Sequence, residues 1–208
     1  MRAWGIVLLV VLSSGLTAGC GGSSGASTAA RSAGPTETPS TAVPDIVLPA
    51  DPLRELVPRT ADLPTGMVAV LSGSGPRDAK AVAAYSANAT QAGALLASHG
   101  FRSAYVAQYA DLATGRVLSV VVSRFSTAAG AAADLDADLA ASSGEQVTAA
   151  AVGEKSQVRR QPLPGSSGQL VTVRFRKGAT TWLVAYGAKP TADPAVAVTL
   201  ATSLAGRA

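Results

Sequence analysis

Ser103-Ala-Tyr-Val-Ala-Gln-Tyr-Ala110 and Val117-Leu-Ser-Val-Val-Val-Ser-Arg-Phe125 are two β-rich runs joined by Asp111-Leu-Ala-Thr-Gly115-Arg116. A short linker carrying Gly at its turn, between runs of β-branched and aromatic residues, reads as a β-hairpin. In the second run Val117, Ser119, Val121 and Ser123 alternate with Leu118, Val120, Val122 and Arg124, so both faces are largely apolar. A strand that is apolar on both faces reads as a central strand of a sheet, with helices packed on one face or both.

Downstream, Ser126 or Thr127 is placed to cap a helix whose buried stripe is Ala128, Ala131, Ala132, Leu135 and Leu139, with Asp134, Asp136 and Asp138 outside it. The plan then recurs. Strands are predicted near 154–161, 168–176 and 180–187, with a turn at Lys177-Gly178, followed by a helix opened by Asp193-Pro194 and ending at Gly206. Ala197, Leu200, Ala201 and Leu204 form the inner stripe of that helix. Upstream, Met67 to Leu71 reads as a strand closed by Ser72-Gly-Ser-Gly-Pro76, and Pro76 and Asp78 open a helix that runs to His99, with Gly100 as its left-handed cap. Val82, Tyr85, Ala89, Ala92, Gly93 and Leu96 share one side of it. The fold class that follows is α+β: an antiparallel sheet of five to seven strands with three helices packed on it, in the order β-α-ββ-α-βββ-α. Residues 53–208 make one such domain, and a chain of that length is long enough to bury a core.

Composition agrees with close packing of small side chains. Ala supplies 43 of the 208 residues and Gly 21, while charged residues are 14% and aromatic residues 4%. The apolar share of 48% is too high for a wholly disordered chain. One Cys allows neither an internal disulfide nor a cysteine-based zinc site.

The start of the chain is of another kind. Arg2 precedes an apolar run from Gly5 to Leu12 and then small residues up to Cys20, the three parts of a secretory signal peptide, assigned to residues 1–19. The run is too short to span a membrane. Thr17-Ala18-Gly19-Cys20 resembles the lipobox of bacterial lipoproteins, although Thr17 stands where an aliphatic residue is commoner. The resemblance implies that the Cys20 thiol carries a diacylglyceryl group, that the signal is cut before it, and that the acylated protein is anchored at the cell membrane on its extracytoplasmic face. Residues 20–52 are rich in Gly, Ser, Thr, Pro and Ala, which reads as a flexible tether with a coil span on the order of 30 Å. Taken together, the tail and the Ala-rich, Arg-over-Lys composition look like envelope lipoproteins of high-GC Gram-positive bacteria.

Chemistry-bearing motifs are sparse. The single imidazole, His99, sits at a helix end, where the dipole explains it without a catalytic role. No Gly-x-Ser-x-Gly elbow and no phosphate-loop spacing surrounds Ser72–Gly75. Asp134 and Asp138 are four apart, as paired acids could be, but they lack converging oxygens and read as a solvated face. Trp182 shares a strand face with Val184 and Tyr186, which reads as core. No catalytic residue, metal site or cofactor is assigned.

Charge is uneven. Residues 53–144 hold seven basic and seven acidic side chains, whereas residues 145–208 hold eight and three. Arg174 and Arg176 share a strand face, Lys177 follows at the turn, and Arg159 and Arg160 lie on the preceding strand. If those strands pair, a basic patch results that could meet an anionic lipid, an acidic wall polymer or an acidic protein. Nucleic acid is not an expected partner for an exported protein. The reading is therefore a binding or structural envelope module. The alternatives are a carrier of a lipid or other apolar ligand in an internal cavity near Trp182, and an enzyme with an unrecognised site.

Overall fold

The structure, a computed structural model, describes residues 47–208; the signal, Cys20 and the tether up to residue 46 lie outside the described residues. The elements are β1 (Val68–Ala69), β2 (Gly75–Arg77), α1 (Ala79–Ala83), α2 (Ala89–Ser98), β3 (Phe101–Asp111), β4 (Arg116–Phe125), α3 (Ala128–Ala141), β5 (Glu145–Gln146), β6 (Lys155–Pro162), β7 (Gln169–Lys177), β8 (Thr180–Ala188) and α4 (Pro194–Ala205). The strands form one antiparallel sheet in the order β1-β3-β4-β8-β7-β6-β5, with β2 also paired to β3. The fold is α+β, and the hairpin quoted above is β3–β4, with β4 in the interior of the sheet between β3 and β8.

Register sorts the residues onto two faces. Tyr105, Val122, Trp182 and Phe175 stand in one row across β3, β4, β8 and β7, followed by the row Ala107, Val120, Val184, Val173 and Val158. These residues form the main core with Ala197, Leu200, Ala201 and Leu204 of α4. The second face carries Ala104, Val106, Val121, Ser123, Thr181, Leu183, Thr172, Arg174 and Arg176, and α3 crosses it. Each of the two hairpin-then-helix units thus sends its helix to a different face, so that both faces of the central strands are covered.

The main core also takes in the chain that leads into the domain. Leu48, Leu53, Leu56 and Val57 are buried there. Asp51 caps the 3-10 turn Pro52–Leu56 by accepting from the Leu53 amide at 2.7 Å. Three aromatic donors of the sheet hold this strap by its carbonyls. Tyr105 Oη donates to Pro49 O (2.8 Å), Tyr109 Oη to Pro58 O (2.6 Å) and Trp182 Nε1 to Leu56 O (3.2 Å). Burial pushes the Tyr109 hydroxyl well above the usual tyrosine range, so it stays a donor. Among the described residues the packing therefore takes in Leu48, inside the stretch 20–52 whose composition reads as tether, and the Pro49 carbonyl is held by Tyr105.

Two other expectations change. The helix expected from Pro76 to His99 is broken, and there are four α-helices among the described residues. Pro76 sits in β2, where an edge strand tolerates a residue that cannot donate to the ladder. Asp78 then caps α1 through the Ala81 amide (2.8 Å), and after a break at residues 84–88 Asn88 caps α2 through the Gln91 amide (3.0 Å). Of the side expected to be shared along that helix, Ala92 and Leu96 are buried while Tyr85 is exposed. The strand expected at 67–71 shrinks to β1, because the chain turns at Leu71–Gly73 to let Gly73 pack against Gln108. Elsewhere the termini follow their local signals. Thr127 caps α3, Asp193 caps α4, and Gly100, Gly115 and Gly178 take the positive φ that their turns require.

Candidate functional site

Polar side chains gather on the second face, between the sheet and α3. On α3, Ala131, Asp134, Leu135 and Asp138 are spaced i, i+3, i+4, i+7, a single helical stripe, and Ala131 and Leu135 are buried on it. Asp134 and Asp138 therefore face inward at the flank of the stripe, which corrects their reading as a solvated face. Asp138 Oδ2 accepts from Arg174 Nε at 2.6 Å, and Arg174 Nη1 donates to Thr172 Oγ1 at 3.0 Å on the same strand. Asp134 Oδ1 lies 3.5 Å from Nδ1 of His99 at the end of α2. Burial raises the Asp134 carboxyl to about 6; the contact with His99 opposes that rise and the charge of Asp138 adds to it. Asp136 points outward to Lys155 Nζ (2.6 Å).

The five basic residues singled out by the charge count do not converge. β6 pairs with β7 as expected, and Arg159, Arg174 and Arg176 share the second face, but the register puts Arg160 and Lys177 on the first. Each is occupied within the fold or withdrawn from solvent. Arg174 is buried against Asp138, and Arg176 pairs with Glu154. Arg159 donates to Gln157 Oε1 (2.8 Å) and to the Gly144 carbonyl (2.7 Å). Lys177 Nζ donates to Ala205 O (3.0 Å) at the C-terminal end of α4, where a cation suits the dipole. The Nε of Arg160 is buried with no hydrogen-bond partner. Trp182, on the opposite face from Arg174, is 2% exposed and stacks on Phe175 with ring centroids 5.0 Å apart and planes 3° apart.

No family model matches this chain, and no curated protein matches it. The extracellular domain of PknH from Mycobacterium tuberculosis is similar in structure, with a TM-score of 0.46 and 11% sequence identity over 73% of this chain and 93% of that one. A likeness at that level assigns no function. Among the described residues no group of three or more His, Cys, Asp and Glu could hold a metal ion, and no helix is long and apolar enough to cross a membrane.

What the second face offers is an arrangement of ion pairs that seats α3, with one titratable pair, His99 and Asp134, where α2 meets α3. The sequence signal for it was the spacing of Ala131, Asp134, Leu135 and Asp138. Reading Ala132 and Leu139 into the stripe instead turned the two aspartates outward by roughly a fifth of a helical turn.

Proposed function

We propose that this chain is a lipid-anchored extracytoplasmic lipoprotein whose folded head acts as a binding or structural module of the cell envelope. The observation that carries the reading is Thr17-Ala18-Gly19-Cys20, which holds the chain's only Cys behind a charged and then apolar start. A thiol in that position is a modification site with a clear chemical use, whereas a free one in an exported protein would be an oxidation hazard. The fold supports the reading in one respect. The strap from Leu48 to Pro58 is tied to the sheet by three side-chain donors, so an anchor upstream of it is joined to the core and not to a frayed end.

In this reading the head does not depend on an open arginine patch for its contacts, because those arginines already have partners inside the fold or are turned apart. The membrane is engaged through lipid on Cys20. Replacing Cys20 with Ala is expected to move the protein from the detergent phase to the aqueous phase, or to leave the signal uncut, and to remove the acyl mass from the N-terminal peptide in mass spectrometry. Unchanged detergent partitioning of the variant would overturn the anchor.

A further inference from the structure

We propose that the contact between His99 and Asp134 is a proton-operated latch that holds the α1–α2 pair against the sheet. α1 and α2 rest on a small apolar cluster of their own, made of Ala83, Ala92, Leu96, Phe125 and Ala131 with Phe101 at its edge in an edge-to-face contact with Phe125, apart from the main core. Small side chains bury little area each, so this seat contributes less than the other face and leaves more of the holding to polar contacts.

The end of α2 and the start of α3 touch directly. A Cβ at Gly130 would stand 2.0 Å from the His99 carbonyl, so Gly130 is what allows the His99 backbone to lie against the first turn of α3. Movement of α2 away from the sheet therefore has to separate His99 from Asp134. Both side chains are mostly withdrawn from water, at 14% and 22% exposure. The groups that face Asp134 are few: His99 from α2, Asp138 one turn along α3, and Arg174 of β7 beyond it, itself taken by Asp138. On this face β4 and β8 present Ser123, Val121, Thr181 and Leu183, which do not titrate. Lys155 of β6 is engaged by Asp136 on the outer side, and Arg176 of β7 by Glu154.

While the pair retains its extra proton, either the carboxyl is neutral or it faces an imidazolium, and both states suit a withdrawn site. Once that proton is lost, a carboxylate is left beside the like charge of Asp138 with no cation of its own. The latch is thus closed in mild acid and loosened as pH rises through about 6, the value to which burial brings Asp134. Nothing in this depends on the lipid anchor.

Hydrogen exchange of the full-length chain, followed by mass spectrometry from pH 5 to pH 8 and corrected for intrinsic exchange, tests it. Peptides covering residues 79–98 are expected to lose protection several-fold relative to β4 and β8 across that range; one proton cannot change the opening equilibrium by more than about tenfold per pH unit. Asp134→Asn should flatten the profile while leaving β4 and β8 as they were. Parallel profiles for α2 and the central strands, or a slope that survives Asp134→Asn, would overturn the latch. Should that variant fail to fold, the wild-type His99 ring and Asp134 carboxyl resonances still decide, since a latch requires both to report the same inflection and independent titration rejects it.

Discussion

The two faces of the sheet are held by different forces. The first is mainly apolar, with the stacked Phe175 and Trp182, the valines of β4, β7 and β8, the α4 stripe and the strap. The second has a small apolar cluster at one side and, beneath α3, two carboxylates that meet a histidine and an arginine. Dispersion and water exclusion are nearly blind to pH and salt, whereas ion pairs respond to both. One sheet therefore carries a side that tolerates changes of medium and a side that registers them. In the proposed envelope setting that difference has a use, since the helices on the second face can loosen while the core stays closed.

The largest effect expected from any substitution lies on the first face. Trp182→Ala removes a ring that stacks on Phe175 and takes away the donor to Leu56 O, so both the core and the strap lose a fixed point. A cost of about 3–5 kcal/mol is expected in urea unfolding, the usual range for deleting a large buried aromatic side chain. The comparison of faces adds a condition, that this loss should be the same at pH 5 and pH 8. A loss that varied strongly with pH would mean that the two faces are not separable.

Much of the first face was legible in the sequence and little of the second. Alternation along 117–125 and 180–187 reports which residues share a face, because period-2 patterning is a direct consequence of the pleat, and the α4 stripe Ala197, Leu200, Ala201 and Leu204 is apolar without exception. On the second face the decisive residues are polar. Asp134, Asp138 and Arg174 look like solvated side chains when taken one at a time, and their inward position depends on each other across 36 residues of sequence. Hydropathy cannot register a buried charge whose partner comes from another element. The broken helix escaped for a local reason: Ala dominates the stretch 79–98 and hides the weak helix formers Ser86 and Asn88 around which it breaks, while Pro76 is claimed by an edge-strand pairing to Tyr105 that no local signal announces. The basic patch escaped in the opposite sense. Charge counts along the chain show an excess, but whether arginines face outward depends on register and on the acids of a different helix.

A middle-sized effect is expected at Asp138. Changing it to Ala leaves Arg174, whose side chain is 11% exposed, with only Thr172 as a partner, and a withdrawn guanidinium without its carboxylate is costly. About 2 kcal/mol of destabilisation is expected, less than for a deeply buried pair because Asp138 itself is 26% exposed. Arg174→Met separates the causes. It removes the charge that would be stranded and keeps much of the volume, so it should cost less than Asp138→Ala even though it breaks the same ion pair. If the two variants lost equal stability, the cost would come from the attraction itself and not from stranding a charge. Asp138→Ala also takes a like charge away from Asp134, so the pH at which Asp134 ionises falls, and the latch should then release at a lower pH and with a smaller change in protection.

The smallest effect is expected on the outer side of the same helix. Lys155 and Asp136 are 2.6 Å apart, as close as Arg174 and Asp138, yet their side chains are 50% and 55% exposed. Water solvates both charges in the separated state almost as well as they solvate each other, and holding two long side chains in one geometry costs rotamer freedom. Lys155→Ala should therefore change stability by no more than about 0.5 kcal/mol, and added salt should erase what change there is. Measured beside Asp138→Ala by urea unfolding at low and high ionic strength, it compares two cation–carboxylate pairs of α3 at the same distance, one exposed and one withdrawn from water. A ratio well above one between the two losses, persisting in salt, would show that α3 is seated by its inner carboxylates, whereas comparable losses would mean that proximity of charges, wherever they lie, is what holds it.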